Sequence, residues 1–336
     1  MNLPPIAAFQ RSDGDAVRCE LCPHRCLIRE GRRGRCGVRE VRAGTLRTLV
    51  WGRPVALNVD PIEKKPLFHF LPGETSLSIA TAGCNLECRF CQNHSISQAR
   101  PEERSDPLVP PSRVVEEARR TGARIIAYTY TEPTIFYEYA EDIARAAAAD
   151  GLRNVFVTNG YIAEAPLRRL LPLMDGANVD LKAFSDETYR RVLGGSLEPV
   201  LRSLRILKEA EVWLEVTTLL VPGLNDSDGE LDAIAGAIAA LDPGIPWHVS
   251  RFHPDHRMLH EVRTPMETVE RALGAGRRAG LQYVYPGNTP THQGECTWCH
   301  GCGALLIARQ GFRVSGHRCA DGRCPECGVR VPGRFS

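Results

Sequence analysis

Three cysteines lie close together in the stretch from residue 82 to residue 93, which reads AGCNLECRFCQN. Cys84, Cys88 and Cys91 are separated by three and by two residues, and His94 follows them. A closed zinc site needs four ligands, so zinc would need His94 to complete this set. A 4Fe-4S cluster has four irons that each need an external ligand, and one loop with three cysteines can hold three of them. The spacing favours a cluster with one open iron.

A second group of cysteines lies near the C-terminal end. It contains two Cys-x-x-Cys-Gly turns, CHGCG from residue 299 and CPECG from residue 324, joined by the hairpin-like stretch ALLIARQGFRVSG. Paired turns of this kind are typical of four-thiolate zinc ribbon or rubredoxin sites, and zinc is the commoner structural metal. Cys296 and Cys319 are left over, as buried thiols or alternative ligands. We expect a structural zinc held by Cys299, Cys302, Cys324 and Cys327.

A third group lies near the N-terminal end and is irregularly spaced. Its members are Cys19, Cys22, Cys26 and Cys36. Four thiolates can hold either zinc or an additional iron-sulfur cluster. His24 lies inside the group and basic residues surround it, which favours zinc over a second cluster.

The elements that must position these groups are predicted by the body of the chain, which has no cysteine from residue 92 to residue 295. Between residues 76 and 288, runs rich in β-branched and aromatic residues alternate with longer amphipathic stretches. This alternation predicts βαβ units and a parallel sheet with right-handed crossovers. We expect an α/β fold, a partial or full (β/α) barrel, with an open doubly wound sheet as the alternative. The seven strand candidates are SLSIATAG, IIAYTY, NVFVTNG, ANVDLKA, VWLEVTTLLV, WHVSRFH and YVYPGN.

Three regions follow from this organisation. Residues 1–75 form an N-terminal cysteine-rich region with an approach segment, residues 76–290 form the barrel, and residues 291–336 form the C-terminal metal-binding element.

Polar residues stand at the predicted carboxyl ends of the strands, where barrels carry their chemistry. Period-2 alternation also places Glu215 with Thr217, and Arg251 with His253, on shared strand faces. Charged residues inside a buried sheet are costly unless they are paired or bound to a ligand. For any single charged residue, an internal salt bridge is as good an explanation as a ligand-binding role. The charged residues taken together indicate a polar cavity, in which Glu215 and Arg251 are candidates for catalysis. The strand-end residues are Thr131, Glu132, Asn159, Asp180, Lys182 and His253.

Composition limits the other possibilities. The chain has 336 residues, a net charge of +2 and 43% hydrophobic residues, which predicts a soluble protein without a general nucleic-acid footprint. The basic run from Arg29 to Arg42 is interpreted as a solvated face. No segment approaches the ~20 apolar residues of a membrane span, and no signal peptide is recognisable. We therefore expect a cytoplasmic protein, whose cysteines bind metals rather than form disulfides.

The motif Cys84-x3-Cys88-x2-Cys91, with Phe90 before its last cysteine, resembles that of the radical S-adenosylmethionine (SAM) superfamily. Residues 76 to 288 are similar to the branch of pyruvate formate-lyase activating enzymes. The whole chain, with DPIEKKPLFHF from residue 60 and its cysteine-rich tail, resembles the radical enzymes of the AmmeMemoRadiSam system.

The resemblance implies a reaction. SAM chelates the open iron, and an electron from the cluster releases a 5′-deoxyadenosyl radical that abstracts hydrogen from an unidentified small molecule or protein. Glu132 accepts from the SAM ammonium, and the other implied cofactor-binding residues are Phe90, Thr131, Asn159, Asp180, Lys182 and His253.

The resemblance also implies partners, namely a reductant protein and Memo-like and AMMECR-like proteins. One alternative function is a glycyl-radical-enzyme activase. Another is a nucleic-acid-binding protein built from zinc modules, against which the near-neutral charge argues.

Overall fold

The computed structural model describes residues 3–103, 107–289 and 293–336. The expected boundary between residues 290 and 291 lies outside these residues. The strands are β1 (Gln10–Asp13), β2 (Ala16–Cys19), β3 (Leu27–Arg29), β4 (Arg39–Arg42), β5 (Thr45–Thr48), β6 (Pro54–Pro61), β7 (Thr75–Thr81), β8 (Ile125–Tyr128), β9 (Arg153–Thr158), β10 (Gly176–Asp180), β11 (Trp213–Leu220), β12 (Trp247–Arg251), β13 (Val284–Gly287), β14 (Thr297–Trp298), β15 (Leu305–Gln310) and β16 (Arg313–His317). The helices are α1 (His94–Ser97), α2 (Pro111–Thr121), α3 (Tyr137–Ala149), α4 (Glu164–Leu170), α5 (Asp186–Thr188), α6 (Glu198–Glu209), α7 (Asp228–Leu241) and α8 (Met266–Arg278).

The centre of the fold is an eight-stranded sheet in the order β13-β12-β11-β10-β9-β8-β7-β6. Strands β7 to β13 are parallel to their neighbours, and β6 pairs antiparallel to β7. Each successive parallel strand is added on the same side of the previous one. A doubly wound sheet reverses its strand order at a switch point, and this sheet does not. The fold is therefore a partial (β/α) barrel whose sheet is not closed, and all seven predicted strands are confirmed.

Local sequence explains where the helices lie. In α3, Ala140, Ala144 and Ala147 are buried at helical spacing, and the helix packs against β8 and β9. Helix α7 begins after Ser227, because the Ser227 hydroxyl accepts a hydrogen bond from the Glu230 backbone N–H at 3.3 Å. These helices cover the sheet and leave the carboxyl ends of its strands open. No helix within the described ranges has the length and apolar content to cross a membrane.

The N-terminal region forms a three-stranded sheet, β1-β2-β3, and a hairpin, β4-β5. It packs on α3, where the buried Arg39 pairs with Glu138. Strand β6 belongs to the central sheet although it precedes residue 75, so the expected domain boundary there stays a prediction. The basic run is mostly engaged locally: Arg29, Arg33 and Arg35 pair with nearby carboxylates.

The C-terminal strands β14, β15 and β16 form a separate sheet that packs on β13 and on the segment after β6. The Arg309 guanidinium donates to the Phe68 carbonyl at 2.6 Å and lies over the Phe68 ring. The His69 ring contacts the Pro332 carbonyl and the Tyr285 hydroxyl, each at 2.6 Å. The tail is thus joined to the barrel by buried aromatic and polar contacts.

Candidate active site and metal centres

A cavity of about 420 Å³ opens at the carboxyl ends of the parallel strands. Side chains from the cysteine loop, from the strand ends and from the segment after β6 contribute to its wall. Its lining residues are Lys64, Lys65, Cys84, Cys88, Phe90, Cys91, Gln92, Asn93, Ser97, Thr129, Tyr130, Thr131, Glu132, Val157, Thr158, Asn159, Asp180, Lys182, Thr217, Leu219, Ser250 and Asn288.

The cysteine loop leaves β7 through Gly83, which has φ +99°. A Cβ at this position would lie 2.8 Å from the carbonyl oxygen of Cys36, so only glycine lets the loop turn here. The loop brings Cys84, Cys88 and Cys91 to the cavity wall. Among the described residues, these three cysteines are not part of a compact group that could hold one metal ion. They therefore do not converge on a single ion.

His94 does not complete a zinc site with these cysteines. Its Nδ1 contacts the Cys91 carbonyl at 3.2 Å, and its ring stacks on His256. It is also outside the cavity wall and outside any compact ligand group that the described residues form. The zinc alternative for this loop is therefore not supported by the geometry.

The three thiols lie in a low-dielectric wall. Burial raises the pKa of Cys84 well above its ordinary value, and the charge of Glu132 raises it further. Burial raises the pKa of Cys88 to about 11 against the opposing influence of Lys182. Since a metal binds the thiolate, loading this loop has to release protons, and the bound metal provides the compensating positive charge.

Glu132 is buried at the end of the second parallel strand and accepts four hydrogen bonds. Its Oε1 accepts from the backbone N–H and the hydroxyl of Thr134 and from the Thr158 hydroxyl, at 3.0, 2.7 and 2.7 Å. Its Oε2 accepts from the Asn159 N–H at 2.7 Å. Burial raises the pKa of Glu132, and these hydrogen bonds oppose the rise. Oε2 accepts one of these four hydrogen bonds and Oε1 accepts three, so Oε2 is the less occupied oxygen and has room for a further donor.

Asp180 and Lys182 form an ion pair at the end of β10. The Lys182 ammonium donates to Asp180 Oδ2 at 2.8 Å, and both residues line the cavity. Burial acts to lower the pKa of Lys182, but the charges of Asp180 and Cys88 raise it above its ordinary value. Lys182 therefore stays protonated, with two further N–H bonds to direct at a ligand.

The other predicted cofactor-binding residues lie at different distances from the cavity. Phe90 and Thr131 are buried in its wall. Asn159 also lines it, and its amide donates to Asn85 Oδ1 at 2.9 Å. His253 is not a lining residue, but its Nδ1 contacts the side chain of Gln92, which is one.

The two residues predicted as candidates for catalysis are not in the cavity wall. Arg251 donates from Nε to the Thr264 carbonyl at 2.9 Å. Glu215 is fully buried and accepts from the backbone N–H groups of Phe68 and His69, from Trp213 Nε1 and from His248 Nε2, at 2.7 to 3.0 Å. It shares a strand face with Thr217, as expected, but lies one pair of residues deeper. Its contacts are those of a residue that anchors the segment after β6.

We expect Glu215→Gln to lower the free energy of unfolding by about 3 kcal/mol, to be measured by urea denaturation. Each Glu215 oxygen accepts hydrogen bonds from two N–H groups. In the glutamine variant the side-chain NH2 would replace one oxygen, so it would face two N–H donors in a site without water. The matched control is Glu117→Gln, because Glu117 pairs with Arg120 on the surface of α2. Equal stability of the two variants would contradict this anchoring role.

Sequence reasoning missed a second polar cluster in the cavity, formed by Lys64, Lys65 and Tyr130 around Asp60. Both ammonium groups donate to Asp60, at 2.8 and 2.7 Å, and the Tyr130 hydroxyl donates to it as well. Burial lowers the pKa of Lys65 to about 8. Tyr130 has φ +62°, an uncommon conformation for a residue with a side chain. The adjacent lysines in DPIEKKPLFHF were the available signal. They follow an antiparallel strand, whereas the expectation that barrels carry their chemistry at strand ends concerns the parallel strands.

The C-terminal cysteines form a compact tetrad. The Cys299 and Cys327 sulfur atoms are 3.6 Å apart, as are those of Cys302 and Cys324, and all four lie within 4.8 Å of one another. A tetrahedral zinc with bonds of about 2.3 Å needs sulfur atoms about 3.8 Å apart, so the donor set fits zinc. Cys296 and Cys319 are not part of the tetrad. The predicted four-cysteine group is therefore present, and zinc stays a prediction.

The chain was compared with known proteins. The family described as the Radical SAM superfamily matches residues 78–235. An uncharacterized protein of Methanocaldococcus jannaschii is 42% identical over 326 residues, which are 96% of this chain and 97% of that protein. Pyruvate formate-lyase 1-activating enzyme of Escherichia coli K12 is 22% identical over 60% of this chain and 89% of its own length.

Among solved structures, a radical SAM methyltransferase from Sphaerobacter thermophilus is similar, with a TM-score of 0.51 and 19% identity over 70% of this chain and 71% of that one. At this identity the likeness concerns the fold. The family match and the three-cysteine loop at the cavity give one conclusion: the chain is an enzyme with a radical SAM superfamily domain.

Proposed function

We propose that the protein cleaves SAM reductively at the cavity and uses the resulting radical to abstract hydrogen from a substrate bound beside it. The observation that carries this proposal is the convergence of three thiols, a buried carboxylate and an ammonium on one cavity. Cys84, Cys88 and Cys91 would hold a 4Fe-4S cluster. The donor set fits, because three thiolates that line one cavity can each bind a different iron and leave one iron open.

When bound, the cluster supplies the electron that splits SAM into methionine and a 5′-deoxyadenosyl radical. The chain's own residues bind and orient the zwitterionic methionine part. Glu132 Oε2 offers its remaining acceptor position to the ammonium, and Lys182 offers N–H donors to the carboxylate. A ligand ammonium beside Glu132 also favours the ionised carboxylate, which offsets the effect of burial. Asn159, Asp180 and Thr131 complete this side of the cavity, Phe90 lines it beside the cysteine loop, and His253 contacts the lining residue Gln92.

The side chains of Lys64, Lys65 and Tyr130 form a second polar wall of the cavity, against which the substrate would bind. We propose a small-molecule or protein substrate, within an AmmeMemoRadiSam system in which Memo-like and AMMECR-like proteins are partners. The support is the whole-chain pattern of the approach segment and the two terminal cysteine groups. A reductant protein is the electron source, and the cytoplasm is the proposed location.

A glycyl-radical-enzyme activase is the second candidate. It is favoured by the similarity to pyruvate formate-lyase 1-activating enzyme, which extends over 89% of that protein. Anaerobic incubation with candidate small molecules and partner proteins separates the two functions. An activase leaves a stable organic radical signal on a protein partner, whereas the first function consumes a substrate.

The SAM-binding roles are tested by Lys182→Met and Glu132→Gln. Each variant should bind SAM at least tenfold more weakly, since a lost charge-assisted hydrogen bond costs about 1.5 to 3 kcal/mol. Neither residue is an iron ligand, so the cluster should remain. The measurements are the SAM concentration that shifts the electron paramagnetic resonance spectrum of the reduced cluster, and the rate of 5′-deoxyadenosine formation with dithionite.

Lys182→Met is the cleaner variant, because Glu132→Gln also places an amide N–H against the Asn159 N–H. The matched control is Lys208→Met, which breaks the surface pair with Asp242 outside the cavity wall. If Lys182→Met and Lys208→Met bind SAM equally well, Lys182 serves only its ion pair with Asp180.

A further inference from the structure

The four N-terminal cysteines surround one small enclosed space. Cys19 ends β2, Cys22 and Cys26 lie on the turn between β2 and β3, and Cys36 precedes β4. All four contribute to its wall, together with Arg39 from β4 and with Thr134 and Ile135 from the barrel. The space therefore lies between the N-terminal region and the barrel, away from solvent-facing strands. Its chemistry is that of a four-thiolate metal site.

The spacing of the sulfur atoms distinguishes the metals. The C-terminal tetrad has all four sulfur atoms within 4.8 Å, as a single tetrahedral ion requires. Among the described residues, neither the N-terminal cysteines nor Cys84, Cys88 and Cys91 form such a compact group. In a cubane cluster each thiolate binds a different iron, so the sulfur atoms stand farther apart than around one ion. The N-terminal set differs in this respect from the tail, and its four cysteines line one common space.

Hydrogen-bond donors face these sulfur atoms. Cys26 accepts from the Arg35 N–H at 3.5 Å, and Cys22 and Cys36 accept from the backbone at His24 and Val38. Such N–H···S bonds stabilise the thiolates of iron-sulfur clusters and tune their potentials.

Arg39 supplies positive charge at the same place. Its side chain is 1% exposed, and its Nη1 donates to Cys19 Sγ at 3.7 Å. Its Nε is buried and has no hydrogen-bond partner among the described residues. Glu138 pairs with Nη2 of the same guanidinium, and the Nε–H leaves one buried donor for a ligand in the enclosed space. A thiolate-bound cluster is such a ligand, and its sulfides accept hydrogen bonds.

Both chain neighbours of Cys84 contact this N-terminal site. Gly83 lies against the Cys36 carbonyl, and the Asn85 carbonyl is 2.7 Å from His24 Nε2. Thr134, which lines the N-terminal space, also binds Glu132 of the cavity. The loop of Cys84 therefore lies against the N-terminal cysteine site.

We propose that Cys19, Cys22, Cys26 and Cys36 hold a second 4Fe-4S cluster, which passes electrons to the cluster at Cys84, Cys88 and Cys91. The relay rests on the proposed function. One electron from a ferredoxin-class or flavodoxin-class donor reduces the N-terminal cluster from the 2+ to the 1+ state. That electron moves to the second site, where SAM cleavage consumes it, and the N-terminal cluster returns to the 2+ state. No covalent bond is formed or broken at the N-terminal site.

The cluster is tested in the full chain with Cys84, Cys88 and Cys91 all replaced by alanine, purified and reconstituted without oxygen. We expect this variant to retain about four iron and four sulfide per chain, and a reduced paramagnetic signal that SAM does not alter. Sulfide is decisive, because neither zinc nor a single rubredoxin-type iron in the tail contains it. Zinc without sulfide would overturn the proposal.

A second measurement leaves all four N-terminal thiols in place. In the same triple-alanine background, Arg39→Gln should shift the midpoint potential of the retained signal to more negative values, and Arg39→Lys should shift it less. Loss of positive charge disfavours the reduced, more negative cluster. A potential that stays at the value of the triple-alanine parent in both variants would show that Arg39 does not act on the cluster.

The relay is tested with the cluster loop intact. Cys22→Ser combined with Cys26→Ser should slow 5′-deoxyadenosine formation more than tenfold when a reduced ferredoxin is the donor. With dithionite, which reaches the second site directly, the rate should change less than twofold. Equal loss with both donors would refute the relay.

If the unmodified protein formed no 5′-deoxyadenosine, the proposed function and the relay would both fail. Iron and sulfide in the triple-alanine variant would still establish the N-terminal cluster.

Discussion

Replacement of Cys84, Cys88 and Cys91 by alanine is expected to reduce 5′-deoxyadenosine formation to the level without enzyme. Removing all three thiols leaves no protein ligand for the cluster on this loop, so SAM has no open iron to bind at the cavity. The variant should lose the iron, the sulfide and the SAM-sensitive paramagnetic signal of this site. The measurements are metal and sulfide analysis of anaerobic protein and chromatography of the SAM products.

The matched control is Cys296→Ala, which removes a thiol that lies outside the C-terminal tetrad. Its Sγ accepts from the Arg309 N–H at 3.3 Å, and it is far in sequence from the cavity loop. It should retain the SAM-sensitive signal and the activity. A triple-alanine variant that keeps a SAM-sensitive cluster would disprove the assignment of these ligands.

Replacement of Cys299 and Cys324 by alanine is expected to release about one metal ion per chain and to lower the melting temperature strongly. Structural zinc sites contribute apparent binding free energies of about 10 to 16 kcal/mol to folding, so a large share of the tail's stability depends on the metal. Cys299 and Cys324 are also buried in the cluster of apolar residues that includes Phe68 and Tyr285. Loss of the metal therefore also weakens the packing of the tail on the barrel.

Calorimetry and mass spectrometry of the metal content measure this effect, again with Cys296→Ala as the control. The zinc prediction is tested in the same experiment by the identity of the released ion. Unchanged metal content in the double variant would show that the tetrad does not bind a metal. A stability loss without metal release would instead assign the effect to packing alone.

Local patterns in the sequence predicted the parts of the site that come from one loop or from one strand. The triplet was recognisable because spacing within a loop fixes how many ligands it can present. Asp180 and Lys182 were placed on one face by the period-2 alternation of a strand, and they do line the cavity. The seven strands of the parallel sheet were recognisable because each is a short β-rich run between amphipathic stretches.

Other assignments depended on contacts between distant segments. Glu215 has the strand alternation expected of a cavity residue. Its depth in the barrel is set by the segment after β6, because Glu215 accepts hydrogen bonds from the backbone N–H groups of that segment. Lys64 and Lys65 reach the cavity because β6 joins the sheet antiparallel to β7, which no local pattern predicts. His94 follows the triplet closely, yet its ring is directed to His256 and Asp255.

The sequence by itself determined that the chain has an α/β body, three cysteine groups and an incomplete ligand set at the entrance of the body. These features are local, because they depend on residue type and spacing within one element. Only the tertiary structure decided which polar residues share the cavity, and that the N-terminal cysteines lie against the loop of Cys84. It also showed that the four cysteines of the tail form a compact tetrad, which the N-terminal cysteines do not form among the described residues. Distances between sulfur atoms on different turns depend on how those turns pack, and spacing along the chain does not specify them.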